Sequence, residues 1–177
     1  MKKLKRYLET LVFGFYFDTS APNRQKRIAV RKLLQQIKNG VFEGCVSGLV
    51  RAELEKAPQS YRGRLLRLID RYGLKAVEYD EDAAADLHAK YLRARVAPGA
   101  PDDDAAHIAI ATVVGVDVVV SCNLKHLANE LASRRFLAVN ILQGYSTTYF
   151  PHFSVMISVP FSADVRWREG RRTPSWR

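Results

Sequence analysis

A buried strand is indicated by the sequence DVVVSCN at residues 117–123, in which three consecutive valines follow an aspartate. An unbroken run of β-branched residues is typical of a strand covered on both faces, as strands in parallel sheets are. Polar residues follow at once, namely Ser121 and Asn123. Sites in open parallel sheets lie at the carboxyl ends of the strands, so these polar residues are candidates for a site, although Asn123 could equally be the N-cap of a following helix.

Outward from this run, short apolar segments alternate with segments of helical spacing. Alternation of this kind predicts an α/β domain with a parallel sheet covered by helices on both faces. We predict strands at residues 6–11, 42–47, 74–79, 118–120 and 136–141, and helices at residues 28–37, 49–57, 61–72, 80–95, 102–114 and 124–135.

The alternating pattern stops near residue 145. We therefore predict one domain over residues 1–145 and a C-terminal extension over residues 146–177, with an edge strand or hairpin arm at 153–161 and a basic, poorly ordered tail. The net charge of the chain is +10, and the extension supplies only part of it. A basic surface attracts polyanions such as nucleic acid, although solubility alone would also account for it.

The remaining composition bounds the cellular setting. Two cysteines are too few for a disulfide framework and are typical of a reducing cytoplasm. The apolar segment at residues 7–17 is interrupted by Glu9, so we do not expect a secretory signal. No stretch approaches the roughly 20 apolar residues of a membrane-spanning helix, so no membrane association is expected.

Acidic residues stand where a site in such a sheet would form. Glu9 lies at the end of the first predicted strand, Glu53 lies one turn into the helix after the second, and three aspartates open the helix at residue 102. Each has an ordinary alternative: a solvated strand end, an exposed helix acid, and first-turn acids favoured by the helix dipole. His107 shares a helix face with Asp104, where it would contact substrate, orient a carboxylate, or form only a structural hydrogen bond.

Taken in order, these pieces resemble the PIN-domain nucleases, the group that includes the VapC-type toxins of type II toxin–antitoxin pairs. The resemblance spans about residues 6–145 and leaves out the extension. It implies a three-layer α/β/α domain whose parallel sheet has four or five strands in the order 3-2-1-4-5. The matching segments are YLET (7–10), residues 47–58 with Glu53, DDAAHIAIAT (103–112), VVSCNLKH (119–126), AVN (138–140) and GY (144–145).

The resemblance implies metal-dependent hydrolysis of RNA phosphodiester bonds, with Mg²⁺ or Mn²⁺ as the cofactor. Mg²⁺ prefers carboxylate and water oxygens, and a bound ion lowers the pKa of an attacking water. The family's three catalytic acids map onto Glu9, Glu53 and Asp104. The expected metal ligands are Glu9, Glu53, Asp103, Asp104 and Asn123, and the residues expected to contact substrate or to orient the ligands are Thr10, His107, Ser121, Lys125 and His126.

Two positions depart from the family pattern. The first acid is usually an aspartate and is Glu9 here, and the fourth, commonly an aspartate, is Asn123. Asn123 can still offer a carbonyl oxygen to a metal but adds no negative charge, which weakens the case for a second ion.

The resemblance also implies partners: RNA, a small antitoxin protein, and a second copy in a homodimer. The alternative function is a catalytically weakened PIN-like module that binds RNA or protein, with Asn123 as the lost acid. A small-molecule binding protein is a third alternative, disfavoured because no glycine-rich turn follows the first strand. The aromatic residues at 13–17 fit a dimer face or the core, and we favour the core.

Overall fold

The computed structural model describes residues 3–99, 102–122 and 130–145. Within these ranges a parallel sheet of four strands lies in a three-layer α/β/α arrangement, as predicted. The strand order is β3-β2-β1-β4, which agrees with the predicted order for these four strands. The strands are β1 (Lys5–Leu8), β2 (Glu43–Val46), β3 (Lys75–Ala76) and β4 (Val118–Val120).

The central strand β1 fixes the position of the site. Tyr7 is in register with Cys45 of β2 on one side and with Val119 of β4 on the other. All three valines of β4 are buried, as their β-branched run predicts. Because β1, β2 and β4 are parallel, the residues that follow their carboxyl ends emerge at one edge of the sheet.

The helices of the described residues form two groups. In the first group, the first helix contacts the second, third and fourth, and the third contacts the fourth; in the second group, the fifth contacts the sixth and seventh. The sixth has the predicted bounds, because three acids mark its start and Gly115 follows its end. The helices are α1 (Thr10–Phe17), α2 (Arg24–Lys38), α3 (Gly48–Glu55), α4 (Gln59–Arg71), α5 (Glu81–Arg93), α6 (Asp102–Val114) and α7 (Glu130–Leu142).

Helix α1 replaces the second half of the first predicted strand. Strand β1 ends at Leu8, and the segment TLVFGFYF continues as a helix. Its residues are apolar on almost every side, so no helical period is visible in the sequence, and its aromatic and β-branched residues favour strand. Phe13 and Tyr16 are buried in the main core, as expected, whereas Phe15 and Phe17 are only half-buried against it.

The predicted fifth strand at residues 136–141 is wrong, because helix α7 covers these residues. Ala132 and Phe136, one turn apart, are buried against α5 and α6 in a second core cluster. The ring of Phe136 meets that of Tyr91 edge to face, with centroids 4.8 Å apart. Tyr91 also donates to Asn140, one turn further along α7. These tertiary contacts outweigh the strand propensity of Val139 and Ile141.

Close packing across β2 depends on a glycine. A Cβ on Gly44 would lie 2.6 Å from Leu74 Cδ2 and 2.9 Å from two carbons of Ile37. Helix α2 can therefore approach the sheet closely only because position 44 carries no side chain. None of the helices in the described ranges has both the length and the apolar character needed to span a membrane. The predicted extension at residues 146–177 and residues 123–129 lie outside the described residues.

Candidate active site

Glu9 joins the ends of the two central strands. It follows β1 in an extended conformation and is the N-cap of α1, with Oε2 accepting a hydrogen bond from Leu11 N at 2.7 Å. Oε1 accepts from the backbone N–H of Cys122, just after β4, at 3.0 Å. Glu9 N in turn donates to Val120 O. The side chain is 3% exposed, so its interpretation as a solvated strand end is wrong.

Burial sets the charge state of Glu9. Loss of hydration raises the pKa of this carboxyl, and the two backbone hydrogen bonds and His107 lower it without cancelling the rise. The negative charge of Asp104 raises the pKa further. Two acidic groups therefore repel each other at this edge of the sheet, and a bound cation would relieve the repulsion.

Glu53 is held by two side chains from other elements. It lies near the end of α3, and its Oε2 accepts from Thr10 Oγ1 of α1 and from His107 Nε2 of α6, the latter at 3.0 Å. Burial raises the pKa of Glu53, but these hydrogen bonds outweigh it and hold the pKa below its ordinary value. Glu53 is therefore ionised at neutral pH, and both contacts use one oxygen of the carboxylate.

A chain of buried hydrogen bonds fixes the His107 ring that contacts Glu53. His107 Nδ1 lies 2.8 Å from Tyr7 Oη, which lies 2.7 Å from Ser47 Oγ. Ser47 is also the N-cap of α3, accepting from Val50 N. Because the Glu53 carboxylate can only accept, His107 Nε2 carries the proton in their contact. The orientation of Glu53 thus depends on a chain that begins at the helix cap of its own helix.

The three aspartates that open α6 separate into different environments. Asp104 is 9% exposed, whereas Asp102 and Asp103 are exposed. Asp102 faces His88 of α5, with Oδ1 3.5 Å from Nε2. Of the three, only Asp104 is buried, one helical turn before His107. Asp103, which is also among the expected metal ligands, is exposed instead.

The residues after β4 are only partly described. Ser121 and Cys122 are both buried. Burial raises the pKa of the Cys122 thiol to about 12, so the free thiol stays protonated at neutral pH. Asn123, Lys125 and His126 lie outside the described residues.

The structure therefore brings five of the candidates together: Glu9, Thr10, Glu53, Asp104 and His107. Sequence reasoning missed Tyr7 and Ser47. In the sequence, Tyr7 stands within an apolar predicted strand, although the period of two places it on the same face as Glu9. Ser47 follows β2 directly, which is the same position that Glu9 has after β1, and this parallel could have identified it.

The donor chemistry of this cluster fits a hard divalent cation. Carboxylate oxygens are the ligands that Mg²⁺ prefers, and Mg²⁺ commonly takes one or two carboxylates and completes its shell with water or substrate phosphate. Among residues 3–99, 102–122 and 130–145, no three His, Cys, Asp or Glu side chains are already arranged as a metal site.

Comparisons with known proteins add no family. No family model matches the chain, and no curated protein sequence is significantly similar to it.

Proposed function

We propose that this chain is a metal-dependent ribonuclease of the PIN type, which hydrolyses RNA phosphodiester bonds with Mg²⁺ or Mn²⁺. The observation that carries the proposal is the convergence of three acids, Glu9, Glu53 and Asp104, at the carboxyl edge of a parallel sheet. Glu9 and Asp104 are buried there, and the charge of Asp104 is among the causes that raise the pKa of Glu9. A bound cation would offset the cost of keeping such acids ionised.

The chain's own residues would hold such an ion. Glu9 and Asp104 would supply oxygens from β1 and α6, and Glu53 would supply the carboxylate oxygen that Thr10 and His107 leave outside their hydrogen bonds. The ion, when bound, would provide an activated water and stabilise negative charge on the phosphate. His107 is a positioning residue, because its ring fixes Glu53 and is itself fixed by Tyr7.

The charge of the chain supports a polyanionic substrate. Acidic side chains alone repel a phosphodiester, so substrate must be attracted by other residues. The net charge of +10 supplies that attraction. The preference for RNA, the roles of a small antitoxin and a homodimer, and the cytoplasmic location belong to this proposal through the resemblance to PIN-domain nucleases.

The test is cleavage of a labelled, structured RNA by purified protein with Mg²⁺, with Mn²⁺ and with EDTA. The variant Asp104→Asn removes one charge of the buried pair at almost constant volume. Asp82→Asn, an exposed first-turn acid of α5, is the matched control. We expect metal-dependent cleavage by wild type and by Asp82→Asn, with at least a hundredfold loss (about 10²-fold, the scale of one key electrostatic group) in Asp104→Asn. Cleavage that survives in EDTA would refute the proposal.

A second candidate function is supported by one specific observation. The position that carries the fourth acid of the family pattern is Asn123 in this chain. A PIN-like module that binds RNA or protein without cutting would need no metal. If wild type binds RNA equally with Mg²⁺ and with EDTA and cuts in neither, this second function gains, and Asn123→Asp becomes the test for restored cleavage.

A further inference from the structure

A basic groove lies on α4, away from the acidic cluster. Its volume is about 550 Å³, and its lining includes Arg64, Arg67 and Arg71 together with Phe17 from the end of α1. The three arginines follow one another at three- and four-residue spacing, which places them along one face of the helix. Leu68 and Asp70 complete the lining, so arginines outnumber acids three to one.

Aromatic rings orient one of these arginines. The Arg64 guanidinium carbon lies 4.4 Å from the centroid of the Phe17 ring and 5.5 Å from that of Tyr61. The two rings themselves meet edge to face, 5.5 Å apart. A guanidinium stacked on a ring loses little further freedom when it binds a ligand, and its N–H groups remain available at the edge of the plane.

The arginines are exposed and are not engaged by acids. Arg64, Arg67 and Arg71 are all exposed, and no described carboxylate makes a salt bridge with any of them, although Asp70 lies in the same groove. Uncompensated arginines at one-turn spacing, beside half-buried rings, match what a single-stranded nucleic acid requires. Its phosphates pair with guanidinium groups, and its bases stack on aromatic or guanidinium planes.

Helix α1 connects this groove to the acidic cluster. Thr10 at its first residue donates to Glu53, and Phe17 at its last residue packs under Arg64. Eight helical residues rise about 12 Å, so a strand of a few nucleotides would reach from one site to the other. Helix α3, which carries Glu53, also packs directly on α4.

The geometry points to a docking site for single-stranded RNA in this α4 groove, with Arg64, Arg67 and Arg71 binding phosphates and Tyr61 offering a stacking face. This inference rests on the proposed ribonuclease, because it names where its substrate is held outside the acidic cluster. The groove holds the strand, and α1 sets the distance to the acids. Docking itself requires no metal, since none of the acidic candidates lines the groove.

The test measures binding of a labelled single-stranded RNA to the full chain by fluorescence anisotropy in EDTA, where cleavage cannot interfere. The variant is Arg64→Gln/Arg67→Gln/Arg71→Gln. The control, Arg24→Gln/Lys32→Gln/Lys38→Gln, removes the same charge from exposed positions of α2. We expect the α4 variant to bind at least about tenfold more weakly, with the slope of log affinity against log salt reduced by about 2, or roughly 0.7 for each lost phosphate contact. We expect a smaller loss in the control.

A second variant separates the effect of stacking from that of charge, and it is a milder change that is less prone to unfold the protein. Arg64→Lys keeps the charge but loses the planar group over Phe17, so we expect weaker RNA binding at an unchanged salt slope. Equal binding by the α4 variant and the α2 control would overturn the docking site. So would a change in sedimentation of the α4 variant with unchanged RNA affinity, which would assign the groove to a protein interface. The wild type could bind RNA without ever cleaving it. If the α4 variant then loses this binding, the docking site is supported while the nuclease proposal fails.

Discussion

His107 of α6 and Glu53 of α3 are 54 positions apart in sequence, and their side chains meet with Nε2 3.0 Å from Oε2. Thr10 of α1 reaches the same oxygen. Three helices therefore converge on one carboxylate oxygen, and the contacts that lower the pKa of Glu53 also fix its direction. The acid is preorganised by packing, which is what a site that binds charge requires.

The hydrogen bond from Thr10 to Glu53 makes the free energy of unfolding depend on pH. The folded pKa of Glu53 is lowered, so its contribution to the free energy of unfolding is present above the unfolded pKa of 4.5 and is lost as pH falls through the folded value. Thr10→Val removes one donor at similar volume. We expect the variant to be about 1–2 kcal/mol less stable at pH 7, with the difference shrinking toward pH 3 in urea titrations. Thr19→Val, at an exposed site, should show no such trend.

Glu9 should give the opposite pH dependence. Its folded pKa is raised, so the stability it contributes is fully present below the unfolded pKa of 4.5 and is lost as pH rises through the folded value. In EDTA, the unfolding free energy of Glu9→Gln should therefore improve relative to wild type as pH rises from acid to neutral. Exposed Glu55→Gln on α3 is the control. If the difference in unfolding free energy between Glu9→Gln and wild type did not change with pH, ionisation of Glu9 would not destabilise the fold.

A bound divalent metal ion should offset the destabilisation that ionised Glu9 causes. A cation that binds the folded site stabilises it by RT ln(1 + [L]/Kd), which is about 2.7 kcal/mol at a hundredfold excess over Kd. We expect Mg²⁺ or Mn²⁺ to raise the melting temperature of wild type more at neutral than at acid pH, because protons compete for the same carboxylates. Asp104→Asn should abolish the shift, and Asp82→Asn should retain it. An equal shift in both variants would place the metal elsewhere.

Tyr7→Phe should reveal the buried hydrogen-bonded chain. The change removes only a hydroxyl, but it leaves Ser47 Oγ and His107 Nδ1 without their partner at sites that are almost fully buried. We expect a loss of about 1–3 kcal/mol in urea unfolding. Tyr79→Phe, at a half-buried tyrosine on the loop before α5, should stay within about 0.5 kcal/mol of wild type. Comparable losses in both variants would contradict the chain.

Phe136→Ala tests the helical assignment of α7. The ring is fully buried against Tyr91 in the second core cluster, so its removal should cost about 3–5 kcal/mol. Leu142→Ala, at a residue of the same helix that is 80% exposed, should change the free energy of unfolding by less than about 0.5 kcal/mol. A large loss at Leu142 and a small one at Phe136 would be incompatible with the packed face described for α7.

Much of the fold could be predicted from local patterns. The valine run at Val118–Val120 and the acids and glycine around α6 define their elements because burial and capping leave a direct mark on sequence. Helix α1 could not be predicted in this way, because its residues are apolar all round and its N-cap is a glutamate, which is not among the preferred capping residues. Its start is fixed by Glu9 reaching Cys122, a contact between distant parts of the chain.

The candidate site, like the fold, could be predicted from the sequence only in part. Glu9, Glu53 and Asp104 could be singled out as acids at strand and helix ends, but each has an ordinary local alternative, and only the resemblance to PIN-domain nucleases groups them into one predicted site. Their environments could not be predicted, since the burial of Glu9 and the inward turn of Asp104 away from exposed Asp103 depend on packing. The contact of Tyr7 with Ser47 joins two residues that each have a sufficient local explanation, so nothing in the sequence pairs them.

The bond from Cys122 to Glu9 has a consequence for how the protein is made. It joins residues 113 positions apart, and β4, which precedes Cys122, must pair with β1 before the bond can form. While the ribosome has released only about the first hundred residues, Glu9 can accept from Leu11 N, but the Cys122 amide and Asp104 do not yet exist. Until residues 104 to 122 have been made and have folded against β1, a growing polypeptide therefore carries Glu9 without its late-made neighbours.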